Sequence, residues 1–281
     1  MKKKHFMDLI NNGNFSARQE INCIAEILDK DEIVGRSITD LFDRNFIKFS
    51  KKGPFSSFEQ ILKYLASQCS NDEELLIIIC EMLLHFIYEY IYSIGNNNRF
   101  LTESDLTTSE KKLKYLEKHI YEVVDRIHHK IVETNEEYNF IIIPIDKKSI
   151  QAAEIVACND ENIAIKILEY KHFSNTVDDK EKILISIAKY MEDKKSELTE
   201  SLKEDDLYIQ KNNKIVLVDQ LFEMFNTLHI RHQNNKQYIE ESEREKWYDY
   251  TYNTVLTVII INEQARINKE FKELKEVNRK K

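Results

Sequence analysis

The sequence predicts a mainly α protein: a helical N-terminal unit, then a helical bundle, with one short β element near residues 138–146. Three observations point there. Only four glycines and two prolines occur in 281 residues, and these are the residues that punctuate the turns of sheet proteins. Apolar residues recur at helical spacing, as in Leu113, Leu116, Ile120, Val123, Val124, Ile127 and Ile131. The clearest strand signal is Tyr138-Asn-Phe-Ile-Ile-Ile-Pro-Ile-Asp, a β-branched run whose proline suits an edge strand or short hairpin.

The elements follow in order. An N-terminal unit over residues 1–104 contains helices near Ala17–Leu28, Phe58–Gln68 and Glu73–Ser93. Between the first two, Lys48, Lys51 and Lys52 interleave with Phe46 and Phe49. Such a patch can stack single-stranded nucleic acid, or its aromatics can be core. Gly95-Asn-Asn-Asn-Arg reads as a loop and domain boundary, which opens a second unit over 105–281. There a helix over Ser109–Glu133 carries His119, His128 and His129, read as surface or hydrogen-bonded side chains because adjacent residues on a helix diverge. After the strand-like run come helices over Lys148–Cys158, Ile163–Lys171 and Asp178–Leu202, the last capped near Val177-Asp-Asp-Lys. A break at Lys203–Lys214 precedes a helix over Val216–His229, a polar corner, and a final helix over Glu240–Leu274.

Composition removes several functions. From Asn96 to Lys281 there is no glycine, which excludes a P-loop or a dinucleotide-binding fingerprint there. With 41 basic and 49 acidic residues the net charge is −8, and both signs are mixed. That argues against tight binding of duplex DNA and leaves room for a small local RNA site. Cys23, Cys69, Cys80 and Cys158 are scattered with no C-x-x-C pair, so neither a zinc motif nor a redox motif is signalled. The start, Met1-Lys-Lys-Lys-His-Phe, leads into polar Asn-Asn-Gly-Asn rather than an apolar leader core. A reduced cytoplasmic protein without metal or cofactor is expected.

The run Leu75–Ile94 nearly reaches the length of a membrane span, but it carries Glu81, His85 and Glu89 at four-residue spacing. Charges at mid-bilayer are costly, so the run is read as a buried helix with a polar seam and no membrane is expected. The same row shares a helix face and can also be drawn as metal ligands. No other ligand cluster accompanies it, so the structural seam is the expectation.

The stretch richest in chemistry is Leu221-Phe-Glu-Met-Phe-Asn-Thr-Leu-His-Ile-Arg-His, followed by an Asn-rich loop. Metal-free cleavage of RNA needs a proton acceptor, a proton donor and a fixed positive charge on the phosphate. Histidine serves either proton role near neutrality, and the arginine fork supplies the charge. Arg231 and His232 provide one of each, while His229, Asn234, Asn235 and Tyr238 can add substrate contacts. The competing reading is that basic residues end a helix, where they interact favourably with its dipole.

The order from the strand-like run, through Asp178–Leu202 and His229-Ile-Arg-His, to Glu245-Lys-Trp-Tyr-Asp-Tyr-Thr and an Ile/Val-rich helix resembles the C-terminal HEPN domain of bacterial abortive-infection proteins. The whole chain resembles the AbiJ type of phage-resistance protein. The resemblance covers roughly residues 110–270, and its sharp motif is Ile230-Arg231-His232. It implies a helical bundle that forms homodimers and acts as a metal-independent ribonuclease toxin on RNA, with Arg231 and His232 catalytic. In the family's ribonuclease motif a second histidine follows the arginine after four to six residues. Here Lys236, Gln237 and Tyr238 occupy those positions. A non-catalytic domain that binds RNA, or a phage or host protein, therefore stands beside the ribonuclease. The acidic pair Glu192 and Asp193 is read either as support for the arginine or as a solvated face.

Overall fold

The computed structural model describes residues 15–30, 37–94, 108–203, 210–211, 214–230 and 240–279. The chain is mainly α, with two two-stranded hairpins among the described residues. It divides into two compact units, Met1–Pro144 and Ile145–Lys281. The sequence reading drew the division at 104/105 instead. It moves because the helix and hairpin over residues 108–144 bury their apolar sides in the first unit.

In that unit α1 (Ala17–Asp29), α2 (Ile38–Asn45), α3 (Phe58–Gln68) and α4 (Asp72–Glu89) each begin at a polar cap: Ser16, Ser37, Ser57 and Asn71. Each cap oxygen accepts a backbone N–H of the first turn, which meets a donor the helix itself cannot. α4 continues into a π turn over Tyr90–Ile94. Asp72–Tyr92 is, among the described residues, the helix long and apolar enough to cross a membrane. Here Leu76, Leu83, Leu84 and Ile87 are fully enclosed and α4 forms the core of the unit. α5 (Thr108–Arg126) packs on it through Leu113, Leu116, Ile120 and Val123.

α5 ends at Arg126, not at Glu133. His128 takes a left-handed φ of 56°, and β1 (His129–Glu133) pairs antiparallel with β2 (Phe140–Pro144), Ile131 opposite Ile142. The β-branched run at 141–143 finds in Ile131 and Val132 the partner it requires. His128 is exposed, and the His129 ring bonds to the Ile127 carbonyl.

The polar seam of α4 fastens the unit. The Ile142 N–H donates to Glu81 Oε1 at 2.5 Å, which ties β2 to the helix. His85 Nδ1 lies 2.5 Å from the Tyr138 carbonyl, and Glu89 accepts both the N–H and the hydroxyl of Ser50. Burial holds the His85 pKa below its usual value, against the opposing pull of the Tyr138 carbonyl and Glu89. All three seam residues are thus engaged with other parts of the fold.

Phe46 and Phe49 are buried as well. They join Phe42 and Phe58 around Phe86, whose ring centroid lies 4.3 Å from that of Phe49 and 5.7 Å from that of Phe42. These aromatics are core, and Lys51 beside them pairs with Glu136 at 3.0 Å.

The second unit comprises α6 (Lys147–Ala157), α7 (Glu161–Glu169), α8 (Val177–Asp193), α9 (Lys195–Lys203), a hairpin of β3 (Gln210–Lys211) and β4 (Lys214–Ile215), α10 (Val216–Thr227) and α11 (Arg244–Arg279). α11 is its axis and packs against α6, α8, α9 and α10. The single helix expected over 178–202 breaks at Lys194, so Leu198 and Leu202 reach the core from a separate segment.

Phe86→Ala removes the ring on which four other phenylalanines converge. It should lower the unfolding free energy by about 3–5 kcal/mol, read from urea denaturation followed by circular dichroism.

Candidate functional site

The corner predicted as the site follows α10. Val218, Leu221, Phe222 and Phe225 recur at intervals of three and four, and all four are buried. The helix stops where His229 takes a left-handed φ of 55°. Glycine usually fills that position at a helix C-terminus, and histidine is among the side chains that tolerate it best. The Leu228 N–H bonds back to the Met224 carbonyl at 2.9 Å and the His229 N–H to Asn226 at 3.2 Å. Leu228 and Ile230 are both buried, while His229 between them is half-buried. The residue just before Arg231 is therefore anchored in the core. Arg231, His232, Asn234, Asn235 and Tyr238 lie outside the described residues.

The chain resumes at Glu240, and Arg244 opens α11. A cation at a helix N-terminus opposes the dipole, so it needs partners from elsewhere. Arg244 finds two on α8, its Nη2 lying 2.6 Å from Glu181 and 3.0 Å from Asp178, and a third just before its own helix, its Nη1 lying 2.6 Å from Glu241. Its side chain is 10% exposed. Burial works against the charge, but bonds to Tyr248 and Glu241 outweigh it and hold the guanidinium above its usual pKa. Segment 231–239 is thus bounded by Ile230 in the core on one side and by the Arg244 latch on the other.

Beside the corner, α10 and the start of α11 enclose a recess of about 720 Å³. Met224, Leu228 and Trp247 give it an apolar side, and Glu223, Glu240 and Glu243 ring it with carboxylates. The carboxylates make this side of the recess negative.

A second polar cluster locks α7, α8 and α11 together. Lys180 binds Glu245 at 2.7 Å and Asp249 at 3.2 Å, and the Tyr170 hydroxyl donates to Asp249 at 2.9 Å. Tyr170 stacks on Tyr252 with centroids 4.0 Å apart. Burial, reinforced by Asp249, pushes the Tyr170 pKa far above its usual value, so the phenol stays protonated. Every one of these groups is engaged, as befits a fastening rather than a reactive centre.

The sequence reading missed the Arg244 latch. The available signal was an arginine at the start of a predicted helix, where the dipole disfavours it. Glu192 and Asp193, weighed as support for an arginine, stand at the far end of α8 from Asp178 and Glu181; Glu192 is half-buried and Asp193 exposed. In class, the protein is a mainly helical chain of two compact units with a histidine-capped corner in the second. Comparison with protein-family models, curated proteins and solved structures finds no match.

Arg244→Ala leaves Glu181 and Asp178 facing each other without their cation. It should destabilise the second unit by about 2–3 kcal/mol, the usual worth of hydrogen bonds to charged groups. Arg244→Lys should recover only part of this, because an ammonium cannot reproduce the fork. Thermal unfolding of the three proteins side by side measures both effects.

Proposed function

We propose that this chain is a cytoplasmic phage-defence protein of the abortive-infection kind, acting on RNA through the corner that follows α10. The observation that carries the reading is the run Leu228-His-Ile-Arg-His, which sets an arginine and a histidine directly after a core-anchored isoleucine. The succession of α8, α9, α10 and α11 around that corner supports it, being the helix order the HEPN resemblance implies. Arg231 grips a phosphodiester and stabilises the charge that develops on it. His232 moves a proton between the 2′-hydroxyl and the leaving oxygen. A two-fold homodimer supplies a second Arg–His pair and so the second proton-transfer group.

One specific observation favours a second reading. Lys236, Gln237 and Tyr238 stand where the family's second histidine belongs, and the neighbouring recess is rimmed with glutamates. On this reading the same corner holds RNA, or a phage or host protein, without cleaving anything.

The two readings separate in one assay. Purified wild type, Arg231→Ala and His232→Ala are incubated with total RNA in EDTA, and products are resolved on denaturing gels. The catalytic reading expects cleavage by wild type, slowed about a hundredfold or more in each variant. Cleavage at equal rates by all three, or by none, refutes it. Plating phage on cells that carry Arg231→Ala/His232→Ala then decides what the corner does in defence. Loss of protection is expected, and full protection by the double variant would remove the corner from the function altogether.

A further inference from the structure

We propose that Glu20, Cys23 and His119 form a site for one divalent transition-metal ion of borderline softness, zinc being the type. Glu20 and Cys23 are three residues apart on α1 and share a face. His119 comes from α5, which packs on α1. One ligand atom from each (a carboxylate oxygen, the thiol sulfur and an imidazole nitrogen) lies within 4.8 Å of the other two. The site belongs to the first unit and does not depend on the RNA reading.

The donor set selects the ion. A thiolate and an imidazole exclude magnesium and calcium, which take oxygen ligands, and suit zinc or cobalt. Around a tetrahedral zinc with bonds of about 2.0–2.3 Å, neighbouring ligand atoms stand roughly 3.3–3.6 Å apart. To hold the ion, the Glu20 Oε1 to His119 Nε2 separation of 2.6 Å opens to that value, while the Cys23 sulfur already lies within 4.8 Å of both atoms. Glu20 and His119 side chains are 11% and 13% exposed, so the ion is shielded yet reachable.

Arg126, two turns beyond His119, lies 3.3 Å from the other oxygen of Glu20. It orients the carboxylate so that Oε1 faces the cluster, the part that partners outside the ligand set play at metal centres. Charge also balances. Carboxylate and thiolate offset the two positive charges of the ion, while Arg126 and Glu26 carry opposite signs nearby. Binding releases the Cys23 thiol proton to solvent and removes from His119 Nε2 the proton it donates to Glu20, leaving the ring N–H on Nδ1. Three protein ligands leave one position of a four-coordinate ion for solvent.

The test uses the full chain, stripped with a chelator and titrated with Co(II) and then Zn(II). One equivalent of Co(II) should produce a thiolate-to-cobalt charge-transfer band that Zn(II) abolishes. Cys23→Ser and His119→Ala should lose the band and bind about tenfold or more weakly, while Cys158→Ser retains both. Circular dichroism establishes that the variants fold. On the unsubstituted chain, Zn(II) should slow alkylation of Cys23, read by peptide mass spectrometry, with Cys158 unaffected as the internal standard. This arm decides the matter should a variant fail to fold. Absence of the band in wild type, its survival in Cys23→Ser, or equal alkylation of Cys23 with and without Zn(II) overturns the proposal.

Discussion

A buried helix can carry polar side chains only if each one meets a partner, and the first unit is organised by that requirement on α4. Glu81, His85 and Glu89 lie in one row along a helix otherwise packed with leucine, isoleucine and phenylalanine. An unmatched carboxylate there would cost several kcal/mol. Each instead engages groups distant in sequence: the Ile142 amide, the Tyr138 carbonyl, and the amide and hydroxyl of Ser50. The hairpin and the loop after α2 are thereby drawn to one face of one helix. The phenylalanine cluster around Phe86 then closes over the top. Polar pairing sets which parts meet, and apolar burial supplies most of the free energy.

The second unit solves a different problem, that of holding both ends of a polar corner. On one side Leu228 and Ile230 enter the core on either side of a left-handed histidine. On the other, Arg244 spans from α11 to two carboxylates of α8. The described residues on both flanks of segment 231–239 are thus held by the rest of the second unit.

Much of the fold was legible in the sequence, because helical spacing and scarce glycine are local signals. Phe58–Gln68 folds over the very residues its pattern marks, and the strand-like run at 138–146 is a strand at 140–144. The failures share a cause. Ile127 and Ile131 share a face whether the backbone is helix or strand, since a separation of four suits both periods. What decides between them is the partner strand, which lies outside any local window. In the same way, the stripe Leu113-Leu116-Ile120-Val123 says that α5 packs but not against which unit, and the compact units divide at 144/145 rather than at 104/105. At the site the apolar helix and its abrupt end could be read, whereas the Arg244 latch depends on α8, more than sixty residues earlier. The Glu20–His119 pairing, separated by 99 residues, was equally out of reach.

The scarcity of glycine has one more consequence. His128, Tyr138 and His229 all turn the chain through the left-handed region, where a side chain adds roughly 1–2 kcal/mol of steric penalty. A glycine would avoid that penalty but would widen the range of conformations open to the unfolded chain, all of which must be surrendered on folding. These reversals therefore accept strain in the native state in return for a stiffer denatured one. Each apex also carries an imidazole or a phenol, so a turn that glycine would have left bare becomes a place where chemistry can be displayed.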